Sequence, residues 1–292
     1  MKNHAPALAV LAAASLWGFI SIFIRGLTAL GWASTQIVAA RCLLSALLSL
    51  AFLAVKDRQL LRVKPKDLWV FAGTGLVSMV FFNWCYFTSI NRCGAGLAVV
   101  LLYTSPIWVM LFSALFFKEK ITPQKLAALV ITVAGCVLVA GGGMALPAPS
   151  ALAVGVLAGV GYALYSIFGQ VALGKGYHTL TVTTYTFVFA ALGCLFLVPL
   201  PGLAALCAVP AAWVHILGNT VLCSLAPYLL YTWGLGRMEA GKAAILATSE
   251  PLVATLVGIF VWQEAFTPAK ALGVAMIFAA VALLNRREKQ AG

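Results

Sequence analysis

The chain has 292 residues, of which 63% are hydrophobic and 9% charged, and its mean hydropathy is +1.04. Soluble domains carry about 25% charged residues, so these values exclude a soluble globular fold, and the apolar content excludes intrinsic disorder. The net charge of +12 would suit a nucleic-acid-binding protein, but the basic residues stand in short breaks between apolar runs. We therefore expect an all-α integral membrane protein that binds no nucleic acid.

Apolar runs along the chain predict ten transmembrane helices. The stretch 5–24 holds 20 uncharged residues, which at about 1.5 Å per residue span one bilayer core. This first run resembles a signal peptide, but we expect it to be retained because the internal repeat includes it. Glycines and prolines divide 126–174 and 176–236 into two spans each. The remaining spans are predicted in 26–55, 68–91, 93–117, 243–263 and 271–285.

The distribution of lysine and arginine predicts the orientation of these helices. Fifteen of them fall in the segments on the side of the N-terminus, against three in the opposite segments, Arg25, Arg92 and Lys270. Cytoplasmic segments of membrane proteins carry the excess of positive residues. We expect a multi-pass protein of the bacterial inner (plasma) membrane with both termini in the cytoplasm.

The second half of the chain repeats the first at a constant offset of 145 residues. Identical residues at this offset include Pro106 with Pro251, Glu119 with Glu264, Tyr86 with Tyr231, Ala95 with Ala240, Gly96 with Gly241, and Lys125 with Lys270. Each half holds five helices, an odd number, so the halves enter the membrane from opposite sides as two inverted five-helix repeats. We predict one repeat over 1–141 and the other over 150–287, joined by a linker at 142–149.

Several segments resemble the drug/metabolite transporter superfamily, EamA type. They are LLYTSP at 101–106 with FKEK at 117–120, TSEP at 248–251 with WQE at 262–264, SLWG at 15–18, and AAR at 39–41. The resemblance covers essentially the whole chain as two tandem repeats. It implies a transporter with a central cavity lined by helices 1, 3, 4, 6, 8 and 9. Amino acids, purines, drugs and other metabolites are all substrates of such proteins, so the substrate stays open.

Positions that are polar or aromatic in both repeats point independently to the lining of a substrate cavity. The six pairs are Trp17 with Tyr162, Ser21 with Ser166, Asn83 with Tyr228, Tyr86 with Tyr231, Tyr103 with Thr248, and Ser105 with Glu250. Within each repeat they recur at helical spacing and so share a face. Aromatic faces with a few hydroxyls suit a small amphipathic solute. The alternative is that the aromatic residues are interfacial anchors.

Two charged residues lie inside predicted spans. A bare carboxylate such as Glu250 in the membrane needs a cavity, a partner or a proton. It is a candidate site for an ammonium group or a proton, and the structural alternative is a bond to the backbone at the Pro251 break. Arg41 is a candidate second charge for an anion, with snorkelling or a structural contact as the alternative. Pro106 and Pro251 predict kinks in equivalent helices.

We expect a secondary transporter, not an enzyme, that exports amino acids or similar solutes by alternating access. A zwitterion would fit between Arg41 and Glu250 if both faced the cavity. Exporters of nucleobases or drugs and an uncoupled facilitator stay as alternatives, with a membrane enzyme or a non-transporting partner as distant ones.

The sequence has no phosphate-binding loop and no metal-ligand motif, so we expect no cofactor and no metal. The expected partners are a small-molecule substrate and the lipid bilayer, with protons as a candidate coupling ion. A single chain suffices for this architecture, and a dimer is compatible with it.

Overall fold

The computed structural model describes residues 4–140, 148–198 and 200–285, and every regular element within these ranges is helical. Seven helical stretches are long and apolar enough to cross a membrane, and three shorter apolar helices accompany them. The predicted all-α membrane fold is thereby confirmed. Most of the predicted linker at 142–149, and the last two residues of the predicted second repeat, lie outside the described residues.

The first repeat contains five membrane helices. They are α1 (Ala5–Ala29), α2 (Ser34–Lys56), α3 (65–93), α4 (95–117) and α5 (Pro123–Ala140). Gly94 separates α3 from α4 at φ 80° and ψ 159°, a conformation that glycine adopts readily because it has no Cβ atom. α1 is interrupted at Phe19, and α4 is interrupted at Tyr103 and Thr104.

The second repeat has the same five parts. They are α6 (Pro149–Gly174), α7 (Thr179–Leu195), α8 (Pro210–Leu235), α9 (Ala240–Phe260) and α10 (Pro268–Asn285). A short helix, Leu200–Cys207, precedes α8. α9 is interrupted at Thr248 and Ser249, the repeat equivalents of the α4 interruption. The π-helical segments Gly73–Phe81 of α3 and Val221–Leu225 of α8 also overlap at the 145-residue offset.

At the two positions where the sequence predicts a kink, the structure has a complete interruption of the helix. Pro106 and Pro251 are each the second residue of the second half of an interrupted helix. Proline is tolerated there because the first amides of a helix have no partner within it. The helix boundaries also differ from the sequence estimate, since α1 continues past Arg25 to Ala29.

The helices pack in pairs that two inverted repeats produce. α5 packs on its equivalent α10, and α2 packs on its equivalent α7. α1 packs on α8, and the equivalent of α1, α6, packs on α3 and α4. Backbones approach closely between α5 and α10, where a Cβ atom on Gly135 would lie 2.8 Å from the Gly273 carbonyl oxygen. Such small-residue contacts are typical of membrane helices.

The outer surface of the bundle is apolar, and its two ends are polar. Exposed side chains on the outer surface include Leu115, Val130 and Phe278, as expected for contact with lipid. Glu119, Lys125 and Lys175 mark one end, hereafter the Glu119 end; Arg25, Glu264 and Lys270 mark the other, the Glu264 end. α1 connects them, because Pro6 lies against Gly234 near the Glu119 end and Arg25 contacts Glu264 at the other.

Candidate functional site

A cavity of about 580 Å³ lies between the two repeats. Its mouth is at the Glu264 end, where Ser34, Ala95, Glu264 and Lys270 line it. A smaller chamber continues from it towards the Glu119 end. Five residues line both spaces: Trp17, Tyr103, Tyr162, Tyr228 and Glu250.

The twelve residues singled out by the repeat come together around these two spaces. The large cavity is lined by Trp17, Ser21, Asn83, Tyr86, Tyr103, Tyr162, Tyr228 and Glu250. The smaller chamber is lined additionally by Ser105, Ser166, Tyr231 and Thr248. Pro251 also lines the cavity, whereas Pro106 lies outside both linings. The helices that carry these twelve side chains are those that the family resemblance implies.

The cavity has further walls that the resemblance does not imply. α2 contributes Ser34 and Val38, and α5 contributes Cys136 and Val139. α2 therefore forms part of the cavity wall, together with the six helices that the resemblance implies.

Packed aromatic side chains separate the cavity from the Glu119 end. The ring centroids of Trp17 and Tyr228 are 5.4 Å apart, and those of Tyr165 and Tyr228 are 4.9 Å apart, both edge to face. The hydroxyls of Ser166 and Tyr231 lie 2.7 Å apart. The inner part of the site is therefore a compact aromatic floor joined by hydroxyl contacts.

Glu250 opens the second half of α9 and faces both spaces. Its carboxylate forms no hydrogen bond or ion pair with any residue that the structure describes. The Thr248 and Ser249 hydroxyls donate to the carbonyls of Ile245 and Leu246 at the break. Glu250 is therefore not the group that satisfies the backbone there.

Arg41 also faces the large cavity, although only 9% of it is exposed. It takes part in no salt bridge within the described ranges, and its Nε atom has no hydrogen-bond partner there. Both buried charges predicted from the sequence thus border the same space, one from each repeat.

Asn219 is a further buried polar residue that lines this cavity, and the sequence analysis did not identify it. It is 1% exposed, and neither amide atom has a partner among the described residues. Its repeat equivalent, Thr74, is also polar, so the comparison of repeats could have found it. The equivalent of Arg41 is Thr186, whose hydroxyl donates to Thr74 at 2.8 Å. Arg41 and Asn219 both line the large cavity.

Contacts between the repeats close the Glu119 end. The Glu119 carboxylate accepts hydrogen bonds from the backbone amides of Ala240 (2.7 Å) and Gly241 (3.2 Å), which begin α9. Lys125 forms an ion pair with Glu239 at 2.6 Å. Lys175 forms another with Asp67 at 2.8 Å. These bonds join α4, α5 and α3 of the first repeat to the second.

The Glu264 end has looser contacts. Arg25 forms an ion pair with Glu264 at 2.8 Å and lies over the Trp262 ring, and Lys270 is 3.4 Å from the same carboxylate. The hydrogen bond from Arg25 is the main cause that lowers the pKa of Glu264 below its usual value, with a further contribution from Lys270. Glu264 and Lys270 border the mouth without covering it.

The described part of the chain contains no cluster of three or more histidine, cysteine, aspartate or glutamate residues that could hold a metal. The cavity offers binding groups of other kinds: aromatic faces, hydroxyls, two amides, one guanidinium, one ammonium group and two carboxylates. Such a set binds an organic solute through shape, apolar contact and opposite charges.

Relatives of this chain are transporters by name. An uncharacterized transporter of Bacillus subtilis, YxxF, is 26% identical over 88% of this chain and 83% of its own. An uncharacterized transporter of Archaeoglobus fulgidus is 27% identical over 95% of both chains. A "probable terminal-alkyne amino-acid exporter" of Streptantibioticus cattleyicolor is 30% identical over 77% of this chain and 76% of its own.

The fold and family comparisons agree with these relatives. One solved crystal structure covers 97% of this chain and 97% of its own, with a TM-score of 0.79 at 19% identity, so it shares the fold. The sequence model of the EamA-like transporter family matches twice, over residues 4–141 and 149–286. These two matches confirm the tandem repeats and the resemblance noted in the sequence. The chain is a multi-pass membrane protein that belongs to the EamA-like transporter family.

Proposed function

We propose that this protein is a secondary transporter that exports amino acids or similar zwitterionic solutes by alternating access. The observation that carries the proposal is that Arg41 and Glu250, the two charges inside the predicted spans, border one cavity and form no ion pair with any described residue. Unpaired charges away from water are costly, and a solute of opposite charge offsets that cost. A carboxylate would bind Arg41, and an ammonium group would bind Glu250.

The other groups of the cavity suit the same solute class. Asn219 lines the same cavity as Arg41 and offers amide hydrogens without a partner among the described residues, and a carboxylate accepts such bonds. Trp17, Tyr86 and Tyr162 offer aromatic surface for an apolar side chain. A volume of about 580 Å³ falls within the range of small-molecule sites. A relative that is named as an exporter of an amino acid supports the same class.

The predicted orientation of the chain assigns a side of the membrane to each end of the cavity. With both termini in the cytoplasm of a bacterial inner membrane, the Glu264 end and the cavity mouth face outward. Release of an exported solute needs such an outward-facing form. We further propose that Glu250 couples export to protons, because a carboxylate without a partner in the membrane exchanges a proton for a bound cation at modest cost.

The test is efflux from proteoliposomes loaded with a mixed panel of amino acids, nucleobases and organic cations, measured by mass spectrometry with and without a pH gradient. Each amino acid is paired with the amine that lacks its carboxylate and with the acid that lacks its amino group. We expect the amino acid to leave fastest. Arg41→Met should slow the amino acid at least about tenfold and leave the amine nearly unchanged, since a tenfold effect corresponds to about 1.4 kcal/mol of one charged contact.

Glu250→Gln should have the complementary effect. It should slow solutes with an ammonium group, leave the acid nearly unchanged, and remove the response to the pH gradient. Asp57→Asn, at the end of α2 outside the cavity, is the matched control and should change none of these rates. Unchanged rates and unchanged pH response in Glu250→Gln would contradict proton coupling. Efflux of nucleobases or organic cations alone would contradict the amino-acid class, and no efflux from folded protein would contradict transport of the panel.

A further inference from the structure

The contact that closes the Glu119 end has a complete set of equivalents at the open end. Glu119 corresponds to Glu264 at the 145-residue offset, and the amide donors Ala240 and Gly241 correspond to Ala95 and Gly96. Ala240 and Gly241 are buried under Glu119. Ala95 is exposed and Gly96 is half-buried, and both line the cavity mouth together with Glu264. The open end therefore has the equivalent acceptor, Glu264, and the equivalent donors, Ala95 and Gly96, but these three described residues form no hydrogen bond with one another.

The supporting side chains correspond as well. Arg25 corresponds to Gln170. Arg25 donates to Glu264 at 2.8 Å, and Gln170 donates to Glu119 at 3.5 Å. In this structure, each carboxylate thus accepts a hydrogen bond from an equivalent residue, Arg25 of α1 or Gln170 of α6. The two ends differ in whether the carboxylate also reaches the start of the opposite helix.

The backbone prepares the same kind of helix start at both ends. Glu239 is extended before Ala240, at φ −64° and ψ 139°, and Gly94 leaves the helical conformation before Ala95. The first amides of a helix have no partner inside it and attract negative charge. The amides of Ala95 and Gly96 are therefore suited to donate hydrogen bonds to a carboxylate, as those of Ala240 and Gly241 do.

We propose that Glu119 and Glu264 are reciprocal gate residues. When the Glu119 end opens, Glu119 leaves Ala240 and Gly241, and Glu264 takes up the equivalent bonds to Ala95 and Gly96, which closes the cavity mouth. Each conformation then keeps one carboxylate bound to one helix start, so the exchange replaces a charged hydrogen-bond set by a chemically similar one. The proposal rests on the alternating access of the proposed function and names the residues that switch it.

Two ion pairs at the closed end have no equivalent at the mouth and set the preference between the two forms. Lys175 pairs with Asp67, and the residues equivalent to these are the uncharged Leu30 and Ala212. Lys125 pairs with Glu239 at the closed end, but the residue equivalent to Glu239 is Gly94, which offers Lys270 no carboxylate. The Glu119 end therefore closes with two extra ion pairs. This asymmetry favours the conformation with the mouth open at the Glu264 end.

The test measures how readily two equivalent positions react with a thiol reagent. Val109 is 2% exposed and lines the smaller chamber, whereas its equivalent, Ala254, is exposed and lines the large cavity. Val109→Cys and Ala254→Cys are placed singly in detergent-solubilised protein whose seven native cysteines are replaced by alanine. We expect fast labelling at position 254 and slow labelling at position 109.

The two gate variants should move the labelling of position 109 in opposite directions. Glu119→Ala weakens the closed end and should raise its rate about tenfold; Glu264→Ala weakens the alternative form and should lower it about tenfold, the size of one charged hydrogen bond. Asp57→Ala, which removes a carboxylate that bonds only to nearby Gln59, should change neither rate. Shifts in the same direction, or no shift, would overturn the reciprocal gate. No substrate is present, so this result does not depend on whether the transport assay succeeds.

Hydrogen exchange on the chain with its native cysteines gives a second measurement. The amides at 240–241 should exchange slowly and those at 95–96 quickly. Glu119→Ala should accelerate exchange at 240–241, and Glu264→Ala should leave those amides at least as protected as before. Equal protection at both helix starts in the unaltered chain would contradict the proposal.

Discussion

The Ser166 and Tyr231 hydroxyls lie 2.7 Å apart and join α6 to α8 at the floor of the cavity. Both residues are buried, each with 4% of its surface exposed. Tyr231 also packs its ring 5.7 Å from that of Trp17 of α1. This one tyrosine therefore connects three helices at the point where the cavity ends.

Removal of the Tyr231 hydroxyl should weaken the floor. We expect Tyr231→Phe to lower the free energy of unfolding by about 1 kcal/mol, because the Ser166 hydroxyl loses its buried partner. Tyr86→Phe is the matched control, since the Tyr86 hydroxyl has no hydrogen-bond partner among the described residues and lines the open cavity. Thermal unfolding in one detergent measures both variants. Equal stabilities of the two variants would contradict a structural role for the hydroxyl pair.

Replacement of Asn219 should raise the stability of the protein and lower its transport rate. Asn219→Leu removes two buried polar atoms without partners at similar volume, so we expect the protein to gain about 1 kcal/mol of stability. Transport of amino acids should fall. The equivalent change, Thr74→Val, should destabilise instead, because Thr74 bonds to Thr186 and to the Phe71 carbonyl. Unfolding and efflux measured on the same preparations check both signs.

The ion pair of Arg25 with Glu264 at the cavity mouth should make the stability of the protein depend on pH. The pKa of Glu264 is lowered in the folded protein, first by the hydrogen bond from Arg25. A lowered pKa means that the stabilisation is present above the pKa of the unfolded chain, about 4.3, and is lost as the pH falls through the folded value. We expect the difference in melting temperature between the unaltered protein and Glu264→Gln to be positive at pH 6 and to vanish near pH 3.

The size of this effect should be small and sensitive to salt. Both partners are about half exposed, and exposed ion pairs contribute about 1 kcal/mol or less. Addition of 1 M salt at pH 6, which shortens screening to about 3 Å, should therefore reduce the difference. A difference that persists at pH 3 would assign the stabilisation to packing of the side chain.

Gly75 should be required for the contact between α3 and α7. A Cβ atom at this position would lie 2.6 Å from the Thr186 carbonyl oxygen and 2.8 Å from the Ala190 nitrogen, so the two backbones would have to separate. We expect Gly75→Ala to cost about 2 kcal/mol. Gly174→Ala, at the end of α6 with no atom within 4 Å of the new Cβ, should be neutral or slightly stabilising. Comparable losses in both variants would show that close packing at Gly75 is not the cause.

The membrane helices follow closely from the sequence, and their breaks follow less well. Hydropathy locates spans because backbone groups in lipid must bond within a helix. Pro106 and Pro251 predict distortion at the correct places, but the structure has complete interruptions before each proline. At the break in α9, the carbonyls of Ile245 and Leu246 accept hydrogen bonds from both the backbone amides and the hydroxyls of Thr248 and Ser249. The presence of a proline alone does not predict this tighter turn.

The cavity follows from the repeat more than from residue type. Comparison of the halves places twelve side chains around the cavity because symmetric positions near a pseudo-twofold axis face one another. Asn219 was missed although its equivalent, Thr74, is polar, because only positions at regular helical spacing with other candidates were considered. Tyr165, whose hydroxyl lies 2.6 Å from that of Thr232, was missed because its equivalent is the apolar Ile20.

The sequence by itself determined the ten spans, the inverted repeats and the set of residues that meet at the repeat axis. These properties follow from hydropathy, helix periodicity and a constant offset, which are local or repeated features. Only the tertiary structure decided which end is closed, and which buried charges lack a partner. Glu119 and Glu264 are equivalent in sequence, and the choice between them depends on a bond to a backbone amide 121 residues away. Long-range contacts such as that of Lys125 with Glu239 also hold the closed end, and no local pattern encodes them.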